Sequence, residues 1–139
     1  MKIKHKDYLI YEIPNNWEIE ETEKTTSIFK NNGDGALTLS FYTIMEIENT
    51  LEEHIRIMAK DFIDRNKIKL DNSLILYGTK KDKMIIYGTG KTKDAWFIKL
   101  WIISKYPKII LASYNSENKT SELNQIDKII NSFQFKNLD

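Results

Sequence analysis

One segment of this chain has no polar face, and it limits the folds available. Residues 95–104 set Trp96, Ile98, Leu100 and Ile102 on one side and Phe97, Trp101 and Ile103 on the other, with Lys99 between them. A strand that is apolar on both faces belongs inside a sheet and needs cover on both sides. Residues 73–79, 84–90 and 109–115 also read as strands. The connections are Lys80-Lys81-Asp82-Lys83, Lys91-Thr92-Lys93-Asp94 and Lys105-Tyr106-Pro107-Lys108. Links this short make neighbouring strands antiparallel, so the segment is predicted to be a four-stranded meander.

The cover has to come from the rest of the chain. Thr50-Leu51-Glu52-Glu53 forms a capping box, and Leu51, Ile55, Met58 and Phe62 follow on one helical face. That helix is predicted to end near Asn66, with Asp61 and Arg65 paired four residues apart on its outer side. A second helix is predicted over residues 121–132, burying Leu123, Ile126, Ile129, Ile130 and Phe133. Ahead of both, residues 8–13 read as a strand stopped by Pro14-Asn15-Asn16. Residues 26–30 and 36–44 read as a hairpin around Asn31-Asn32-Gly33-Asp34-Gly35, with Leu37, Leu39 and Phe41 on the buried face. The predicted order is β-β-β-α-β-β-β-β-α. That is an α+β fold, one domain over residues 1–139, with a central antiparallel sheet of about 6–8 strands and helices packed on both faces. A chain of 139 residues buries enough surface to need no disulfide or metal staple.

Composition removes several chemistries. The chain has no cysteine, which excludes a disulfide framework, a thiol nucleophile and cysteine-based metal centres. The formal net charge of +1 argues against a dedicated nucleic-acid binder. There are 22 Ile and 19 Lys but only 2 Arg and no Val. Strand physics does not prefer Ile over Val to that degree, so the bias points to an AT-rich coding genome. Two arginines leave little capacity for bidentate phosphate recognition. The terminus Met1-Lys2-Ile3-Lys4-His5-Lys6-Asp7 is basic but is followed by too short an apolar run for a signal peptide. No apolar stretch is long enough to span a bilayer. The chain is therefore expected to be cytoplasmic; a mature exported chain whose signal has been removed would read the same.

Motifs that hint at chemistry have plainer accounts. Gly88-Thr89-Gly90-Lys91-Thr92 looks like the end of a phosphate-binding loop, but Ile85 stands where the first glycine should be, and a strand follows instead of a helix. Asn32-Gly33-Asp34-Gly35 has a faint calcium-loop look that turn chemistry explains fully. His54 lacks a second histidine at helical spacing and reads as a solvated side chain, while His5 falls in a terminus expected to fray. The carboxylates Glu18, Glu20, Glu21 and Glu23, and Glu46, Glu48, Glu52 and Glu53, read as solvated runs without the burial that acid–base pairs require. No catalytic residue, cofactor or metal is expected.

Two features remain. Residues 1–53 carry 5 basic and 11 acidic groups, a net of −6, and residues 54–108 carry 13 basic and 5 acidic, a net of +8. If the blocks stay apart on folding, the domain is electrically polar and can steer a charged partner. The second feature is an aromatic-rich set on the meander: Tyr77, Tyr87, Phe97, Lys99, Trp101 and Tyr114. Two readings stand side by side, a covered sheet core and an exposed patch for a protein partner.

Residues 8–17, Tyr-Leu-Ile-Tyr-Glu-Ile-Pro-Asn-Asn-Trp, resemble the strand and Pro-x-x-Trp opening of the PsbP-like superfamily. Residues 126–135, with Ile-Ile-Asn-Ser-Phe-Gln-Phe, resemble its closing helix and Ser-Phe-x-Phe strand, and the Thr50 capping box also fits. That group includes a photosystem extrinsic protein, a Ran-binding nuclear import factor and small bacterial proteins of the DcrB-like group. The resemblance implies a central antiparallel sheet with helices on both faces, Trp17 as a lid on the core, and Phe133 and Phe135 as anchors. It implies no reaction, because its members are mostly binders, adaptors, chaperones or toxin-immunity proteins. The expected function is a non-catalytic bacterial protein-binding module, a toxin-immunity protein or an effector chaperone or adaptor. Its partner would be another protein, either a different chain or a second copy of this one. The alternative is a small-molecule carrier with an apolar pocket near Met58, Phe62 and Trp101.

Overall fold

The computed structural model describes residues 1–46, 49–80, 83–117 and 121–136. The chain opens with β1 (Lys2–His5) and β2 (Leu9–Glu12), followed by β3 (Trp17–Glu21), β4 (Thr25–Lys30) and β5 (Gly35–Thr43). Helix α1 (Leu51–Arg65) and the short β6 (Lys69–Leu70) precede the meander β7 (Ile75–Lys80), β8 (Lys83–Lys91), β9 (Phe97–Lys105) and β10 (Lys108–Ser116). Helix α2 (Leu123–Asn131) and β11 (Gln134–Phe135) close the fold. Lys81 and Asp82, within one predicted connection, and Glu48, within one predicted carboxylate run, lie outside the described residues.

The large sheet runs β3-β4-β5-β10-β9-β8-β6, and β7 shares the β8 edge with β6. All its pairs are antiparallel, and β5 against β10 joins the early hairpin to the meander over nine residue pairs, Gly35↔Ser116 to Thr43↔Lys108. This places β9, the strand without a polar face, between β8 and β10. One side of it, with Ile102, meets α1 through Ile55 and Ala59. The other side, with Phe97, Trp101 and Ile103, meets α2 through Ile126, Ile129 and Ile130, together with residues of β2. The cover on that side includes a second sheet, β1-β2-β11, which sequence periodicity did not indicate. Gln134 and Phe135 pair with Ile10 and Leu9, so the closing Ser-Phe-x-Phe segment does enter a strand. Trp17 and Phe133 are buried in the same cluster, and Phe135 packs against it.

Local chemistry accounts for the element ends. The Thr50 hydroxyl accepts from the Glu53 amide at 3.2 Å, which satisfies one of the orphan donors at the start of α1. Arg65 and Asp61 pair at 2.8 Å on the solvent side. Gly88 and Gly90 lie within β8 and cradle no phosphate. A Cβ on Gly88 would sit 2.7 Å from Leu74 Cδ2, and one on Gly90 would collide with the Lys69 carbonyl. These glycines let β6 and the segment after it cross close over the sheet.

The N-terminus corrects the sequence reading. It does not fray: β1 pairs with β2 in a register that sets Lys2 opposite Glu12 and His5 opposite Leu9. Alternation turns Ile3 and His5 inward while Lys2 and Lys4 stay out. A four-residue strand with histidine as one of its two inward residues carries too weak a pattern to be read. His5 stacks on Phe41 at 4.5 Å, and its Nδ1 lies 3.3 Å from Glu21 Oε1 and its Nε2 3.4 Å from Thr26 Oγ1. The neutral tautomer with the proton on Nδ1 serves both partners.

Burial holds the His5 pKa below its usual 6.5; Glu21 opposes this shift and Lys6 reinforces it. An unfolded chain then takes up the proton before the native one does. The contribution of His5 is complete above about pH 6.5 and is lost as pH falls from there towards the lowered native value. Between about pH 7.5 and pH 5, urea denaturation is expected to show a larger loss of stability for the wild type than for His5→Phe. Parallel curves would mean that His5 protonation is not linked to folding.

Parts of the acidic and basic blocks lie at opposite edges of the large sheet, but the blocks also meet, because Glu52 and Arg56, one from each, pair at 2.9 Å on α1. Glu18, Glu20 and Glu21 are exposed on β3, at one edge of the large sheet. Lys69 and Lys91 are exposed cross-strand partners at the other edge, with Lys67 and Lys93 beside them in sequence.

Candidate partner-binding site

A lysine on a buried sheet face has to reach an anion or water. Lys99 follows the β9 alternation onto the face shared by Phe97 and Trp101. Its Nζ donates to Asp127 Oδ1 at 2.9 Å, and the Lys99 and Asp127 side chains are 14% and 34% exposed. The ammonium also lies 5.2 Å from the Tyr87 ring centroid and 5.1 Å from that of Trp101. At these distances the ring quadrupoles attract the cation. Tyr77 meets Tyr87 edge-on, with centroids 5.4 Å apart and planes at 80°. Asn131, one helical turn beyond Asp127, completes a cleft of about 360 Å³ formed with Tyr77, Tyr87, Lys99 and Trp101. Burial pushes the Tyr77 hydroxyl above its usual pKa, with Tyr87 and Asp127 adding to the effect. The phenol therefore stays protonated and available as a donor at neutral pH.

The rim of the cleft is apolar and open. Ile75 and Tyr77, two residues apart on β7, are 48% and 38% exposed. β7 pairs with β8 along one side, and the pairing shifts register between Tyr77 and Lys80. Gly78, within that shift, adopts φ +66, a backbone state that suits glycine.

Of the six residues singled out from the sequence, four meet here: Tyr77, Tyr87, Lys99 and Trp101. Phe97 and Tyr114 do not join the surface. Both are buried in the core, and the Tyr114 hydroxyl donates to Glu122 Oε1 at 2.9 Å. Asp127 and Asn131 escaped the sequence reading because a helical stripe identifies only the buried face. One signal was available: Lys99 is the sole charged residue within the two-faced stretch 95–104, and Asp127 is the sole acidic residue within α2. Met58, Phe62 and Trp101, the lining expected of a carrier pocket, are divided by the sheet: Met58 and Phe62 pack on the α1 side and Trp101 on the α2 side. Among the described residues no group of three or more His, Asp or Glu side chains could hold a metal ion. No helix among them is long and apolar enough to cross a membrane.

No protein-family model matches the sequence, and no curated protein matches it. A solved structure does match in shape: the solution structure of cyanobacterial PsbP (CyanoP) from Synechocystis sp. PCC 6803. The TM-score is 0.68 over 92% of this chain and 86% of that one, at 11% sequence identity. A likeness at that identity speaks to architecture alone. The chain has the PsbP-like fold that residues 8–17 and 126–135 resemble in sequence.

Proposed function

We propose that this chain is a non-catalytic protein-binding module whose partner docks on β7 and the Lys99 cleft behind it. The observation that carries this reading is the exposed Ile75–Tyr77 rim over an already formed aromatic and ionic cleft. Tyrosine and tryptophan anchors in desolvated pockets dominate the energy of protein interfaces. A rigid cleft loses little freedom when it is filled. The chemistry of a toxin-immunity protein or an effector chaperone fits such a surface, because neither task needs a reacting group.

β7 and four of the six cleft residues belong to the lysine-rich middle of the sequence, so a partner with an acidic surface is favoured. Binding should weaken as salt rises, chiefly through a slower on-rate.

The test is affinity capture from native-host lysate at physiological salt with the wild type and Tyr77→Ala side by side. A stoichiometric protein partner is expected, with apparent affinity for the variant lower by at least about tenfold. Tyr77 is partly exposed, so the variant keeps its core, which thermal unfolding will verify. Recovery of no partner, or capture that ignores Tyr77→Ala and Ile75→Ala alike, overturns this reading.

A further inference from the structure

The cover on the α1 side of the large sheet is partial. Helix α1 packs over residues of β8, β9 and β10, and among the described residues neither Phe29 of β4 nor Ala36 of β5 belongs to the apolar clusters that include α1. Beside these strands lies an open groove of about 500 Å³, with Phe29, Ala36, Thr38, Trp96, Asn115 and the turn over residues 31–35 as its walls.

Both walls are held in place. Trp96 is 40% exposed, whereas Trp17 and Trp101 are 3% and 2% exposed. The sequence pattern predicts Ala95 and Trp96 inside a strand, but the chain turns there instead. Ala95 adopts φ 66, a left-handed state that costs a residue with a Cβ about 1 kcal/mol. The Trp96 amide donates to Thr92 Oγ1 at 3.1 Å, and the Thr92 amide donates to the Trp96 carbonyl at 2.9 Å. Facing it, the buried Glu122 carboxylate accepts from the Asp34 amide at 3.1 Å. A strained backbone that keeps a large indole in solvent, opposite a turn pinned by a buried charge, is a preorganised arrangement.

We propose that this groove binds a neutral oligosaccharide, with Trp96 as the stacking platform. An exposed indole packs against the C–H face of a pyranose ring, and Phe29 offers a second aromatic surface across the small floor at Ala36. Asn31, Asn32 and Asn115 supply carboxamides, and Asp34 and Thr38 add a carboxylate and a hydroxyl. Carboxamides both donate and accept, which matches sugar hydroxyls that do the same. Among the described residues Lys30 is the only cation in the lining, which offers a phosphate or another polyanion little to pair with. A proline-rich peptide also stacks on tryptophan, but proline has no N–H to offer the acceptor oxygens here. This site is on the face opposite Trp101 and the Lys99 cleft, so it stands apart from the partner surface proposed above.

The test titrates maltohexaose, cellohexaose and hexa-N-acetylchitohexaose, each to about 10 mM, into isotope-labelled protein observed by NMR, with decaproline as the competing ligand class. At least one hexasaccharide is expected to shift the Trp96 indole N–H and the Asn115 carboxamide with a dissociation constant in the millimolar range. Trp96→Ala is expected to weaken that binding at least about tenfold while the remaining spectrum stays native. Asp34→Ala, a second exposed change, should weaken it several-fold. No response to any of the three sugars, shifts that survive Trp96→Ala, or decaproline binding in their place would each overturn the proposal.

Discussion

Asp127→Ala should destabilise the protein by about 2–3 kcal/mol, whereas Lys99→Met should change stability by less than about 1 kcal/mol. The asymmetry follows from what each variant leaves behind. Without Asp127 the ammonium stays in a cleft where its side chain is only 14% exposed, with no carboxylate at 2.9 Å. Two aromatic faces about 5 Å away and a narrow path to water offset part of that cost, so the loss should fall short of that for a fully buried orphan charge. Lys99→Met keeps the apolar stem against Tyr87 and Trp101 and removes the charge that needed a partner. In the double variant, Asp127→Ala should then add little to Lys99→Met. Chemical denaturation of the four proteins, with unchanged m-values, measures this directly. If Lys99→Met alone costs as much as Asp127→Ala, the ion pair is net stabilising and the desolvation account of the cleft is wrong.

The same pair shows what the sequence could and could not reveal. Strands β8, β9 and β10 were legible because their hydrophobic runs are long and their links short. Helices α1 and α2 were legible because their apolar stripes are clean. The capping bond at Thr50 and the closing strand through Phe135 were also visible as local motifs. What stayed hidden depends on distant partners. β1 and β6 span four and two residues, too few for periodicity, and exist because β2 and β8 complete them. The glutamates of β3 read from sequence as a solvated acidic run. They are indeed exposed, but the alternation of Trp17 and Ile19 with Glu18 and Glu20 is an edge-strand pattern. Tyr77, Tyr87, Lys99 and Trp101 could be named as a group from the meander. Register separated Tyr114 from them, because it pairs beside Lys99 yet lies beneath α2 and the small sheet. Trp96 left its predicted strand through one left-handed residue, a departure that no hydrophobic pattern records.

Glu122→Ala should cause a loss of about 2–4 kcal/mol, and Glu122→Gln roughly half of that. A carboxylate at a helix start ordinarily caps the first turn or faces water. Here the Glu122 side chain makes no cap bond to α2 and is buried. One oxygen accepts from the Tyr114 hydroxyl on β10 at 2.9 Å, and the other from the Asp34 amide in the β4–β5 turn at 3.1 Å. A single carboxylate thus ties the start of α2 to the sheet core and to a turn 88 residues earlier in the chain. A Cβ on Gly33 would collide with the same carboxylate, so the turn sequence and Glu122 fit each other sterically. Glutamine keeps an acceptor oxygen for the Asp34 amide and turns its amide donor to the Tyr114 hydroxyl oxygen, so both links persist but lose the strength that a carboxylate acceptor gives them. Hydrogen exchange distinguishes the outcomes. Asp34 amide exchange should accelerate in both variants, and by more than global destabilisation explains. If Asp34 keeps its wild-type protection after correction for the change in global stability, the turn is held by its own asparagine and glycine chemistry. Glu122 would then act through Tyr114 and the α2 side, not through the turn.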